Sequence, residues 1–248
     1  MNFSVCVDAV YMGKDLFTSL DAIQKCGLNT FEFWGWEDKP MDNLADYVKA
    51  SGMTVAAFCT KFISLTDPSK RDDYIEGLKE TVEWADKLGC KTLISQVGAD
   101  TGARREFQAD SLTEGLIKSE ETLKDTGITL VIEPLNTRVD HKGYFLSSSD
   151  ETADILKAVN SPSVKMLFDI YHQQISEGDI IRHIQEYIQI IGHFHAAGNP
   201  GRHELYHSEL DYNKVFEAIN ALGYDKYMGL EYFPENDPKI GLKKLSAL

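Results

Sequence analysis

The stretch Gly127–Asn136, GITLVIEPLN, contains the unit on which the rest of the chain is built. Gly127 stands where a helix must end in a left-handed turn, and Thr129–Glu133 is a short β-branched and apolar run suited to a buried strand, ending on Glu133 just before Pro134. The same order of helix, glycine and apolar run recurs in KCGLNTFEFW (25–34), ASGMTVAAF (50–58), KLGCKTLIS (87–95) and ALGYDKYMGLEY (221–232). Repeated helix-to-strand units of this kind imply a parallel sheet. Eight of them in 248 residues average 31 each, close to the roughly 30 that a β-α-β unit needs. A single (β/α)8 TIM barrel over residues 1–248 is the expected fold, in the α/β class.

On this reading the strands are Phe3–Val7, Thr30–Phe33, Thr54–Phe58, Thr92–Gln96, Thr129–Glu133, Val164–Asp169, Ile190–His195 and Tyr227–Glu231. Helices are expected over Asp15–Lys25, Leu44–Ala50, Asp73–Lys87, Leu112–Lys124, Ser149–Val159 and Tyr212–Ala221. Two long connections, Asn136–Ser149 and Ala196–Asp211, follow strands rather than helices. Strand-to-helix loops form the catalytic face of such barrels, so their extra length points to function.

A hydrophobic fraction of 43% and a charged fraction of 26% are those of a soluble globular chain. The net charge of −14 opposes non-specific binding to a phosphate backbone, so no nucleic-acid partner is expected. Cys6, Cys26, Cys59 and Cys90 are scattered without a C-x-x-C pair, which favours reduced thiols. The opening MNFSVCVDAV enters a strand without a basic segment and long apolar run, and no apolar run approaches the roughly 18 residues of a membrane span. A cytoplasmic enzyme with no membrane partner is the expectation.

Glu133, Asp169, His195 and Glu231 each stand where a predicted strand runs out, on strands five to eight. Consecutive barrel strands are neighbours, so these four side chains can meet at one mouth. Three carboxylates crowded there repel one another unless a cation joins them. Oxygen-rich ligation with one imidazole suits Mn²⁺ or Mg²⁺ best, with Co²⁺ and Zn²⁺ as alternatives. Glu133 and Glu231, across the site from each other, are the candidate acid/base pair for moving a proton beside a carbonyl. His172, three residues past Asp169, and Arg202, in the seventh loop, are candidate substrate contacts, the arginine as a clamp for a carboxylate or vicinal hydroxyls. Trp34, with Trp36, is a candidate aromatic wall, and Lys61 and Gln96 are further candidates for the pocket. For His203 and His207 an ordinary loop role is the more natural reading.

The strings IEPLNTR…GYFLSS, FDIYHQQISEGD, HFHAAGNPGRHE and LEY resemble the sugar isomerase/epimerase barrels related to xylose isomerase, and within them the hydroxypyruvate isomerase branch. The resemblance covers most of the chain and is tightest from about Gly127 to Tyr232. It implies Glu133, Asp169, His195 and Glu231 as metal ligands, Glu133 and Glu231 as the acid/base pair, and His172 and Arg202 as substrate contacts. The implied activity is carbonyl migration in a short oxo-acid or sugar through an enediolate, hydroxypyruvate to tartronate semialdehyde being one example. His195 stands where ketose 3-epimerases carry histidine, which makes such an epimerase the alternative; an inosose-type dehydratase is a third. A DNA-repair endonuclease on a similar barrel would need additional histidines after the early strands, where FWGW and FCTK have none. A homo-oligomer is compatible with exposed barrel helices, although no patch in the sequence marks an interface.

Overall fold

A computed structural model of the protein describes residues 1–245. Eight parallel strands close into a barrel in sequence order: β1 (Asn2–Cys6), β2 (Thr30–Phe33), β3 (Thr54–Cys59), β4 (Thr92–Ser95), β5 (Thr129–Ile132), β6 (Val164–Asp169), β7 (Ile191–Ala196) and β8 (Tyr227–Leu230). All eight expected strands are present, with ends shifted by one residue or none. Glu133 and Glu231 therefore lie one residue beyond β5 and β8, where the ladder no longer fixes the backbone.

The barrel is wrapped by α2 (Leu16–Lys25), α3 (Met41–Ser51), α4 (Arg71–Leu88), α5 (Arg105–Leu123), α6 (Ser149–Val159) and α9 (Tyr212–Ala221). Gly52 and Gly89 close α3 and α4 with φ of 69° and 66°, the left-handed turn that the recurring glycine signalled. α5 begins seven residues before the expected Leu112. Four shorter helices were not anticipated: α1 (Val7–Val10), α7 (Ile170–Ser176), α8 (Ile180–Tyr187) and α10 (Pro238–Lys244). α1 and α7 start on the residue after a strand, so no loop residues announce them. The start of α7 is instead held by the last residue of β6, Asp169, whose Oδ1 accepts from the backbone N–H groups of Tyr171 and His172 at 2.7 and 3.1 Å. Among the described residues no helix is long and apolar enough to cross a membrane.

Alternation along the strands sorts the core into two parts. Phe31, Phe33, Phe58, Leu130, Ile132, Phe168, Phe194 and Leu230 face the helices and join one large apolar layer with them. The Phe33 and Phe58 rings stack there at 4.9 Å. The alternate residues Ala57, Cys59, Ile94, Val131 and Leu167 form a separate small cluster that fills the barrel interior, with Trp34 packed against it. One alternation further along, the same inward rows carry Gln96, Glu133 and Asp169. The apolar plug is thus the floor of the site.

Leu167 is fully buried in that plug. Leu167→Ala should cost about 2–5 kcal/mol, as large-to-small changes in close-packed cores do. Urea unfolding should show it as a lower midpoint at an unchanged slope; a loss below about 0.5 kcal/mol would mean that the interior repacks freely.

Candidate active site

Inward residues of the last four strands converge at the C-terminal mouth. Glu133, Asp169, His195 and Glu231 are all buried. Ligand-type atoms of Glu133, Asp169, His172 and Glu231 lie within 4.8 Å of one another. His195 joins them through Nδ1, 3.5 Å from Glu133 Oε1 and 3.4 Å from Glu231 Oε2. Three of these atoms, Glu133 Oε1, Asp169 Oδ2 and His195 Nδ1, are buried without a hydrogen-bond partner. Leaving such atoms unpaired is costly. Their convergence fits a hard divalent cation held by Glu133, Asp169, His195 and Glu231.

The two glutamates sit in different surroundings. Glu231 is oriented from two sides: Trp34 Nε1 donates to Oε1 at 2.6 Å, and the Arg202 guanidinium donates to Oε2. Burial works to raise Glu231, but the charges of Arg202 and His195, with the hydrogen bond from Trp34, outweigh it and hold the group well below the usual range. Glu133 has no such donors on Oε1, and burial pushes it up to about 7 against the opposing pull of His195. Burial also raises Asp169 despite Arg202 nearby.

His172 is fully buried beside them, and its orientation can be assigned. Asn136 Oδ1 accepts from the backbone N–H groups of Val139 and Asp140, so its Nδ2 is the atom facing His172 Nδ1 at 2.7 Å. Nδ1 is therefore an acceptor, and Nε2 carries the proton. That Nε2 lacks a partner and lies 3.6 Å from Asp169 Oδ2. Burial and the Arg202 charge keep His172 neutral by driving its pKa well below the usual value.

Arg202 reaches in from the long loop after β7, with a left-handed backbone at φ 57°. Its guanidinium lies against the rings of Tyr171 and Phe233, at 5.3 and 5.6 Å. A cavity of about 380 Å³ opens over this cluster, and Trp34, Gln96, Glu133, His172, Arg202 and Glu231 all border it.

Not every candidate is brought to the cavity. Lys61 does not line it: Nζ pairs with Glu80 at 2.8 Å and sits 5.3 Å over the Trp36 ring. Two acidic partners, Glu80 and the more distant Glu37 at 3.9 Å, hold the amine on the outer side of the third loop, which corrects its expected role. Trp36 is likewise no wall of the site, since its Nε1 donates to Thr81 on α4 and its ring leans on Trp84. His203 and His207 bond to the Phe233 carbonyl and to Glu235.

Sequence reasoning missed two groups. Asp140 and His141, from the long loop after β5, line the cavity. Only that loop's length signalled them. Glu32 and His193 lie below the mouth, with His193 Nε2 2.8 Å from Glu32 Oε2 and His195 Nε2 3.3 Å from Glu32 Oε1. Burial works to raise Glu32, but both histidines outweigh it and bring it down to about 2. Glu32 precedes Trp34 by two residues, as His193 precedes His195, so the strand alternation could have placed both on the inward face.

The profile of the xylose isomerase-like TIM barrel family matches residues 20–247. The chain belongs to this family. It is 33% identical to a putative hydroxypyruvate isomerase of Xenopus laevis over 181 residues, which cover 71% of this chain and 66% of that protein. It is 35% identical to the 2-oxo-tetronate isomerase of Cupriavidus necator over 176 residues, 71% of this chain and 67% of that one. The aligned part thus spans about two thirds of these relatives' own length. Among solved structures, one described as an AP endonuclease, family 2, from Brucella melitensis superposes with a TM-score of 0.95 at 26% identity, covering 99% of this chain and 98% of that one.

If a cation binds at this cluster, the environments of Glu133 and His195 set a pH dependence for its binding. Glu133 is raised to about 7 and His195 well above its usual value, because Glu32 and Glu231 outweigh the effect of burial on the imidazole. Both must lose a proton to become ligands. Affinity for Mn²⁺ should therefore rise with pH through about 7, by up to about tenfold per pH unit for each proton displaced. Calorimetry in buffers of different ionisation enthalpy should register proton release; a pH-independent affinity between 6 and 8 would mean that neither group holds a displaceable proton in that range.

Proposed function

We propose that this protein is a metal-dependent isomerase that moves a carbonyl within a short oxo-acid or sugar. The observation that carries this reading is the convergence of unpartnered Glu133 Oε1, Asp169 Oδ2 and His195 Nδ1 beside an oriented Glu231 under one small cavity. The names of the relatives, hydroxypyruvate isomerase and 2-oxo-tetronate isomerase, support the same class. Mn²⁺ or Mg²⁺ is the ion that the donor set favours, and when bound it supplies polarisation of the substrate carbonyl.

The chain's own residues account for the rest. One of Glu133 and Glu231 takes the proton from the carbinol carbon next to the carbonyl. The electron pair moves to give an enediolate, the carbinol hydroxyl passes its proton to the former carbonyl oxygen, and the other glutamate, protonated at the start, delivers its proton to the former carbonyl carbon. His172, neutral with Nε2–H directed at the cluster, can donate to a substrate oxygen. The Arg202 guanidinium offers the charge that a substrate carboxylate requires. A cavity of about 380 Å³ suits a molecule of a few carbons. Nuclease chemistry fits less well: the cavity-lining positions at the ends of β2, β3 and β4 are Trp34, Cys59 and Gln96, none an imidazole, and the net charge is −14.

Proton NMR in D₂O of Mn²⁺-activated, then chelated, protein with hydroxypyruvate and D-fructose tests the proposal. Carbonyl migration in hydroxypyruvate with deuterium incorporated at carbon, lost on chelation, is the expected result. Epimerisation of fructose at C3 with hydroxypyruvate untouched would move the assignment to the epimerases. Glu133→Gln and Glu231→Gln should each lower turnover about 10²-fold or more, as loss of a general acid or base does; near-normal turnover in either would exclude the two-carboxylate shuttle. Arg202→Ala should lower turnover through its contact with Glu231 and, in addition, raise KM for a carboxylate substrate much more than for a neutral ketose. Equal KM changes would sink the carboxylate clamp.

A further inference from the structure

Below the mouth, the Glu32 carboxylate on β2 bridges two histidines of β7. Oε2 accepts from His193 Nε2 at 2.8 Å and from Ser4 Oγ at 3.1 Å, so this oxygen is committed. Oε1 is buried and has no formed hydrogen bond, and neither does His195 Nε2, which lies 3.3 Å from it. Both atoms are sealed from water, and each is the polar neighbour available to the other. The opposite edge of the same imidazole, Nδ1, faces Glu133 and Glu231. With a cation on Nδ1, only a hydrogen on Nε2 satisfies both edges at once: it gives Oε1 a donor and leaves the Nδ1 lone pair for the cation.

The barrel makes room for this contact. A Cβ at position 229 would come within 2.0 Å of Glu32 Oε1 and 2.5 Å of His195 Cδ2, so only glycine on β8 lets the carboxylate and the ring meet. Glu32, His193 and His195 could also be considered as a second metal site. Against this, Oε2 already holds the His193 proton at hydrogen-bonding distance, with Ser4 as a second donor.

We infer that Glu32 is a positioning residue for metal binding, fixing His195 as the Nε2–H tautomer so that Nδ1 is presented to the cation, with His193, Ser4 and Gly229 holding Glu32 in place. The inference rests on the proposed ligand set but not on any substrate. A carboxylate that polarises a ligand histidine raises its basicity, and removing such a partner typically weakens metal affinity about 10- to 100-fold.

The test uses Zn²⁺-loaded full-length protein, because Zn²⁺ is diamagnetic. Long-range ¹H–¹⁵N NMR should place the His195 proton on Nε2 with Nδ1 unprotonated; the reverse tautomer would overturn the inference without any variant being made. Glu32→Gln keeps the shape and can still accept from His195, but lacks the charge. Calorimetric Zn²⁺ and Mn²⁺ dissociation constants should rise about 10- to 100-fold, with an unchanged circular-dichroism spectrum. If the wild type binds either ion and Glu32→Gln binds it equally tightly, Glu32 has no such role, while the ligand set stands. A wild type that binds neither ion would remove the ligand set and this inference together.

Discussion

Charge crowding at the barrel mouth is the constraint that the surrounding structure answers. Glu133, Asp169 and Glu231 are buried, and their oxygens approach within 4.8 Å of one another, a placement that carboxylates in water avoid. Each is met by a specific partner. Arg202 and Trp34 face Glu231, the first-turn N–H groups of α7 face Asp169, and His195 stands between Glu133 and Glu231. Even so, one oxygen of Glu133 and one of Asp169 remain unpaired. Protein groups alone leave these oxygens without donors, which supports the proposed cation site over a salt-bridge network.

Strand alternation explains how so much charge can be buried without loss of the fold. The outward rows supply the apolar layer that holds the helices, while the inward rows are free to carry polar groups above a small plug. Glu32 and His193 take the same inward rows further down. Their burial is balanced because ionised Glu32 gains donors from His193 and Ser4. The polar column is therefore continuous from Ser4 to the cavity, alongside the apolar plug.

Much of this was legible in the sequence, and the limits have physical causes. The glycine-then-strand unit marked the five helix ends at Gly27, Gly52, Gly89, Gly127 and Gly223, all left-handed. The four strand-end residues could be matched to neighbouring strands because barrel order follows chain order. Lys61 was misplaced because a lysine four carbons long can turn to either side of a loop, and Glu80 on α4 decides the side. Glu32 and His193 went unread because they lie inside strands, where a polar residue gives no sign of the partner it meets across the barrel. Asp140 and His141 belong to a loop whose path depends on contacts such as Asp140 with Asn136 and Tyr171, which no local pattern encodes.

On the proposed function, chemistry and selectivity are built from different parts of the chain. Asp169 and His195 are placed by the ladders of β6 and β7, and Glu133 and Glu231 stand on the residue directly after β5 and β8. Asp140, His141 and Arg202 come from the two longest strand-to-helix loops, and His172 from the first turn of a helix begun by Asp169 itself. A change in either loop can alter which molecule fits while the carboxylate cluster stays in register. Arg202 is the exception that couples the two parts, since its guanidinium touches Glu231 as well as the cavity. Substitution at that position would therefore disturb Glu231 along with the cavity wall, whereas Asp140 bonds to Asn136 and Tyr171 and the His141 ring meets that of His172.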